Sequence, residues 1–296
     1  MEDKIHILLF YKYVEIEDPD AFRKEHLQKC KEIGLLGRIL VAQEGINGSV
    51  SGSVEQIEKY KEIMWSDSRF NDLVFKEDMG LMHPFKKMIV KTKKEIVNFG
   101  VGVNMNNSGK YLTPKEFLEL YKSDEEIVIL DARNEYEAKV GKFKNATILP
   151  IKTFREFPEA VKKIENLKDK KIVTYCTGGI RCEKASAYLK DQGFTNVSQL
   201  KGGILTFAKE FPDSVWEGRC FVFDKRLVSK VNSGDDLITN CEICGIKCDL
   251  YKNCRHNACD KYCSICINCD AEYAGCCSKN CFNIFMKERM VKVSHP

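Results

Sequence analysis

The sequence predicts an α/β protein in three parts. These are an N-terminal ferredoxin-like α/β sandwich over residues 1–100, a central parallel α/β domain over 111–212, and a Cys-rich zinc-binding segment over 241–285, with a linker and short strands at 213–240. Three observations carry that division. The first hundred residues read strand, helix, two strands, helix, strand, the order of a split βαβ unit with room for one extra strand. Strands and helices then alternate one for one, the signature of a parallel sheet. Eleven of the chain's 15 cysteines fall between Cys241 and Cys281, which sets the tail apart chemically.

In the first part, Ile5 to Glu15 is a strand with a mostly apolar first half. Asp18 and Pro19 are a helix N-cap and a first-turn proline, Phe22, Leu27 and Cys30 recur at helical spacing, and Gly34 ends the helix. Arg38 to Ala42 is a second strand, and the glycines of EGINGSVSG turn the chain into a third. Ser53 with Gln56 forms a capping box ahead of Ile57, Tyr60 and Met64 on one helix face. Strand-like Asp72 to Lys76 and Lys87 to Asn98 complete the unit. Glu44 and Asn47 in EGING read as turn residues before catalytic ones. Lys86, Lys87, Lys91, Lys93 and Lys94 crowd one strand, either as a solvated edge or as contacts to an RNA backbone that relieves their repulsion.

Val101 to Lys110 is a polar linker, and Thr113, Pro114 and Glu116 open the next helix with cap, proline and capping-box acid. Ile127 to Leu130, Thr147 to Pro150, Ile172 to Tyr175 and Val197 to Leu200 are strands, separated by helical patterns that include Phe157 to Leu167. Parallel sheets bind ligands beyond the carboxyl ends of their strands, and Asp131 and Cys176 both fall there.

Cys176 stands where a strand stops and a helix begins. Gly178 and Gly179 permit the positive φ of an anion-binding nest, and Arg181 with the helix N-terminus favours the thiolate. A structural cysteine needs neither feature. Cys182 follows Arg181 and either resolves an oxidised Cys176 or packs in the first helical turn. Trp216, Phe221 and Phe223 interleave with Arg219, Lys225 and Arg226, which suits base stacking or, equally, aromatics turned inward from a strand.

The loop Cys176, Thr177, Gly178, Gly179, Ile180, Arg181 resembles the six-residue active-site loop of rhodanese-type sulfurtransferases, in which the cysteine carries a persulfide. Phosphatases of that fold use a loop one residue longer. DARNEYEAKVGKFKNA resembles the first rhodanese signature, with Asp131, Arg133, Tyr136 and Glu137 in register and Lys142 where many relatives have His. The longer strings AQEGINGSVSG and CTGGIRCEKASAYL are similar to one subfamily, the bacterial rhodanese-domain tRNA uridine hydroxylases. That resemblance implies a rhodanese-like central domain and hydroxylation of the wobble uridine of tRNA to 5-hydroxyuridine with O₂ as co-substrate. It makes Cys176 and Arg181 the catalytic pair and the anticodon loop the partner surface. Asp131 and Arg133 read as an ion pair and helix cap supporting the pocket wall before catalytic groups.

In the tail, Cys241/Cys244, Cys254/Cys259, Cys266/Cys269 and Cys277/Cys281 form four clasps, enough thiolates for two tetrahedral zinc sites. Pairing alternate clasps is one scheme, with Cys248, Cys263, Cys276 and His256 as substitutes. Disulfides and an iron–sulfur cluster are the alternatives. No flavin or NAD fingerprint is present, and His6, His26, His83, His256 and His295 form no legible two-His-one-carboxylate set. The start at Met1 lacks secretory features and no apolar run spans a bilayer, which predicts a cytoplasmic protein without membrane contact. Net charge is only +4, from 47 basic and 43 acidic residues, so RNA must be met through local patches. Simple sulfur transfer through Cys176 and a noncatalytic zinc-containing RNA-binding module are the competing functions. Oligomeric state is not legible.

Overall fold

The computed structural model describes residues 4–234, 237–248, 250–259 and 261–293; Met1 and His295, named above, lie outside them. The N-terminal unit runs β1 (Ile5–Tyr13), α1 (Pro19–Ile33), β2 (Leu36–Ala42), β3 (Gly45–Gly52), α2 (Val54–Trp65), β4 (Lys76–Gly80) and β5 (Met88–Thr92). Its sheet has the order β4-β1-β3-β2-β5, antiparallel except where β5 runs parallel to β2 as the extra strand. The caps form as the sequence predicts. The Asp18 side chain accepts from the N–H groups of Asp20 and Ala21, Ser53 and Gln56 close their capping box, and Gly34 ends α1 at φ 85°.

Side-chain alternation along β1 gives the sheet two different faces. Leu8 and Phe10 pack under the two helices with Cys30, Ile33, Ile57, Tyr60 and Met64. Leu9, Tyr11 and Tyr13 point the other way, from the face that carries no helix of this unit.

Two strands differ from the sequence reading. β4 starts at Lys76 rather than Asp72, because Leu73 and Phe75 turn into the helix-side core while the Leu73 carbonyl accepts from the Trp65 indole at 2.9 Å. β5 stops at Thr92 because the next residues leave the ladder to dock on Glu44, whose carboxylate accepts the Ile96 N–H at 2.8 Å.

The central unit contains β6 (Lys110–Leu112), α3 (Pro114–Lys122), β7 (Ile127–Asp131), α4 (Glu135–Val140), β8 (Gly141–Phe143), β9 (Thr147–Ile148), α5 (Phe157–Val161), β10 (Lys171–Tyr175), α6 (Ile180–Asp191), β11 (Asn196–Leu200) and α7 (Gly203–Glu210). Its five-stranded sheet has the order β6-β11-β10-β7-β9, with every pair parallel. One face carries Ile172, Leu130 and the apolar side of α5 and α6; the other carries Val173, Tyr175, Phe117 and Phe207. The end of the polar linker supplies the edge strand β6.

Beyond it, β12 (Trp216–Gly218) pairs with β8, and β13 (Cys220–Phe221) pairs with β14 (Val228–Ser229). The Cys-rich part holds β15 (Tyr251–Asn253), β16 (Tyr262–Ser264), α8 (Ile267–Glu272) and α9 (Lys279–Val293), the last continuing past residue 285. It docks through aromatic rings: Tyr262 stacks on Tyr136 of α4 at 4.8 Å, and the Tyr251 hydroxyl donates to the Tyr136 carbonyl. Among the described residues no helix is long and apolar enough to cross a membrane.

Candidate active site

Cys176 leaves the carboxyl end of β10 and is wholly buried. The loop tightens at Gly179, where φ is 102°, and the Gly179 N–H donates to the Cys176 sulfur at 3.1 Å. Gly178 does not adopt positive φ. Its lack of a side chain serves contact instead, since a Cβ there would lie 3.0 Å from the Leu9 side chain of β1. A Cβ on Gly179 would meet the Tyr11 hydroxyl at 2.7 Å. The helix-free face of the N-terminal sheet therefore lies directly on the nucleophile loop, and α7 braces it from the other side, with Ile204 donating to the Cys176 carbonyl and Leu205 to that of Thr177.

Burial pushes the Cys176 thiol up, but hydrogen bonding from Cys182, the Arg181 charge and the N–H groups of Arg181 and Gly179 outweigh it, so the thiol ionises below its ordinary range. Burial and the neighbouring Cys176 sulfur push Cys182 the other way, leaving one thiolate and one thiol in contact. Cys182 thus both packs and donates.

Arg181 does not stand free in the loop. Its two terminal nitrogens donate to the two carboxylate oxygens of Glu137 on α4 at 2.5 and 2.8 Å, and one of them also reaches the Thr177 hydroxyl at 3.5 Å. Glu137 is fully buried and also accepts the Asn134 N–H as part of the α4 capping box. A bidentate pair of this kind fixes the guanidinium plane and cancels most of its charge at a distance. Arg181 thus stays beside the sulfur as a fixed charge with a bound counter-ion. Ile180 joins the domains through its carbonyl, which accepts from the Tyr13 hydroxyl at 3.4 Å.

Asp131 and Arg133 form a buried ion pair at 2.6 Å, with Tyr175 donating to Asp131 and Arg133 reaching the Gly141 carbonyl. They lie on the Tyr175 face of the sheet, opposite Cys176, so they brace the loop from behind. Asp131 caps no helix; Asn134 holds that position for α4.

Glu44 and Asn47 are docking residues. The Lys184 ammonium of α6 reaches Glu44 at 2.9 Å and Glu95 at 2.7 Å, and the Asn47 amide donates to the Ile96 carbonyl. The five lysines 86, 87, 91, 93 and 94 are all exposed, and none is ion-paired among the described residues. Of the three aromatics weighed for stacking, Trp216 and Phe221 are buried in the core. Phe223 is 59% exposed, with the Arg181 guanidinium carbon 5.6 Å from its ring centre. Its loop is tied to the N-terminal unit by Arg226, which pairs with Asp78 at 2.5 Å.

In the tail, Cys241, Cys244, Cys266 and Cys269 converge, as do Cys254, Cys259, Cys277 and Cys281, with the sulfurs of each set within 4.8 Å of one another. The clasps meet alternately. Both sets can hold a metal ion, and all-sulfur donors with no open position suit closed tetrahedral structural zinc. Cys248 lies beside the Ser264 hydroxyl, Cys263 donates to the Lys252 carbonyl, and Cys276 is buried, so these three stand outside both sets. His256 also stands outside, with Glu288 3.6 Å from its Nε2.

The sequence marks Glu137 only as part of a signature and does not mark Tyr11, which meets Gly179, or Lys76, which feels the Cys176 charge. The Glu137 position was legible; the other two follow from how one sheet covers another unit.

Three family models match the chain: a UPF0176 acylphosphatase like domain at residues 5–96, a rhodanese-like domain at 113–210 and a rhodanase C-terminal at 217–282. A Cytophaga hutchinsonii protein named tRNA uridine(34) hydroxylase is 44% identical over 278 residues, which cover 93% of this chain and 89% of that protein. Proteins of the same name from Bacillus pumilus and Listeria monocytogenes are 44% and 47% identical, covering 97% and 93% of this chain and 92% and 88% of theirs.

Proposed function

The chain belongs to the tRNA uridine(34) hydroxylase family, and we propose that it converts the wobble uridine of tRNA to 5-hydroxyuridine using O₂, with Cys176 as nucleophile. The observation that carries this reading is the buried Cys176 sulfur, held by the Gly179 N–H and shifted toward thiolate under the face of the N-terminal sheet.

The Cys176 sulfur adds to C6 of uracil, and the C5=C6 electron pair moves toward C4 and its oxygen, which makes C5 nucleophilic. C5 then takes one oxygen atom. The second leaves as water with two electrons and two protons from an external donor. Loss of the C5 proton and expulsion of Cys176 restore the ring. Glu137 keeps Arg181 in place beside the sulfur, and the two cysteine sets bind structural zinc that holds the tail against α4. The division into N-terminal, central, linker and Cys-rich parts follows those roles, and the work is cytoplasmic, where tRNA is found.

The anticodon loop is the substrate surface. Phe223 offers an exposed ring at the rim, suited to stack an unpaired base, and the five lysines offer phosphate contacts away from it. Phe223→Ala is expected to cost roughly 5- to 100-fold in tRNA affinity, the range of one base–aromatic stack, with an unchanged salt slope and recovery in Phe223→Trp. Changing the five lysines to Gln is expected to flatten the salt slope. Filter binding across a salt series separates the two, and unchanged affinity in Phe223→Ala would remove the stacking role.

Nucleoside mass spectrometry of tRNA from cells with and without this chain tests the function. Loss of 5-hydroxyuridine with the chain supports it. Retained modification together with robust thiosulfate sulfur transfer by the purified protein would replace it with sulfurtransfer through a Cys176 persulfide.

A further inference from the structure

Three cationic side chains surround the Cys176 loop, and two are spoken for. Arg181 is gripped by both oxygens of Glu137, and Lys184 by Glu44 and Glu95. The third is Lys76, the first residue of β4. It has no carboxylate within ion-pairing distance among the described residues.

Register fixes where its side chain goes. Lys76 is the cross-strand partner of Leu9, and directly opposed residues of an antiparallel pair share a face. Leu9 faces Gly178, and Tyr11, two residues along β1 on the same face, reaches Gly179 and donates to Glu183 at 3.1 Å. The Lys76 ammonium lies 5.2 Å from the centre of the Tyr11 ring. It therefore lies on the side of the N-terminal sheet that covers the nucleophile, where it interacts electrostatically with both Cys176 and Glu183.

The remaining titratable groups there act on Lys76 only at a distance, and none of them is bonded to it. Glu183 faces Lys76 from α6, but its oxygens already accept from Tyr11, Tyr111 and the Gln199 amide. Tyr11 and Tyr13 of β1 and Tyr111 of β6 are all pushed up by burial and nearby carboxylates, and Cys182 is pushed up by burial and the adjacent sulfur, so all four stay neutral. Burial also draws Lys76 down to about 8, against the pull of Cys176 and Glu183. A half-buried cation without a bound carboxylate is poised for an anion that arrives or forms.

We propose that Lys76 supplies the unpaired positive charge of the site: it adds to Arg181 and the loop N–H groups in holding Cys176 as thiolate in the free protein, and it balances the uracil oxyanion formed when that sulfur bonds to C6. In that step the S–C6 bond forms, the C5=C6 pair shifts onto the C5–C4–O4 system, and Lys76 keeps its proton while its N–H faces the charged oxygen. No electrons leave the pair of reactants. The second half rests on the proposed reaction with uridine; the first half does not.

The test measures iodoacetamide labelling of Cys176 against pH, read on its own peptide by mass spectrometry, in the full-length protein and in Lys76→Met and Lys76→Arg. Met keeps the apolar stem without the charge, and Arg restores the charge. Lys76→Met is expected to raise the labelling midpoint by about one pH unit, a tenfold loss of thiolate below it, and Lys76→Arg to bring it back. Single-turnover hydroxylation of tRNA at neutral pH is expected to fall by more than that tenfold in Lys76→Met, with tRNA affinity within about twofold, because the oxyanion loses its partner as well. An unmoved midpoint in a folded Lys76→Met protein overturns the proposal. A moved midpoint with a rate loss no larger than the thiolate loss overturns its oxyanion half. A moved midpoint in a protein whose unaltered form hydroxylates no tRNA leaves the thiolate half standing and places the failure in the assigned reaction.

Discussion

Cells whose only copy of this protein carries Cys176→Ser are expected to contain no 5-hydroxyuridine above the level of a deletion strain, a loss of at least about a thousandfold in rate. Serine fills nearly the same volume, its hydroxyl oxygen can accept the Gly179 N–H that the sulfur accepts, and the packing of Leu9 and Tyr11 on the loop glycines does not involve the sulfur. Fold and tRNA binding should therefore survive. What is lost is ionisation: the site that lowers a thiol cannot bring an alkyl hydroxyl into the physiological range. The same shift gives the pH dependence its sign. The Cys176 thiol ionises below the ordinary thiol value of about 8.5, so in unaltered protein the rate is expected to fall only as pH drops through that lowered value. A Cys176→Ser protein that binds tRNA and still restores the modification would remove Cys176 from the chemistry.

Features fixed within a few residues of chain were legible in the sequence. The caps at Asp18, Ser53 and Thr113 each need only a polar side chain and the N–H groups of the next turn, and all three form. The six-residue loop is legible for the same reason, since a strand end, two glycines and an arginine set it locally. The cysteine clasps are local too, and their alternate meeting was one of the schemes that spacing allowed. What failed to show was contact between distant stretches. Tyr11 and Glu183 are 172 residues apart, and nothing near Lys76 in the sequence marks it as a neighbour of Cys176. Reading Asp72 to Lys76 as a strand hid the register that aims Lys76 at the loop, because an apolar run such as Leu73 to Phe75 serves a core as readily as a ladder. Arg181 is legible as the loop arginine, yet the partner of its charge cannot be assigned without the fold. The residue that cancels it, Glu137, sits one helix away on a separate strand connection.

Removing metal from the tail is expected to have the second large effect, and to reach Cys176 through a chain of packing contacts. Purified protein should carry two Zn per chain; Cys269→Ser should carry one, since it breaks only the set of Cys241, Cys244 and Cys266. Metal contributes about 10 kcal/mol or more to small all-cysteine sites, far beyond what the few apolar residues between Cys241 and Cys281 can supply. Chelation should therefore unfold this segment while the two sheets persist, visible as selective loss of amide protection beyond residue 241. The segment rests on α4 through Tyr262 and Tyr251 against Tyr136, next to the Glu137 that fixes Arg181 beside the sulfur. Stripping zinc should thus slow hydroxylation and broaden the pH response of Cys176 labelling, because Arg181 loses its fixed position. Tyr136→Ala, which keeps the cysteine sets but cuts the contact to α4, should copy the rate loss with two Zn still bound. Full activity in chelated protein would show that the tail and the nucleophile work independently.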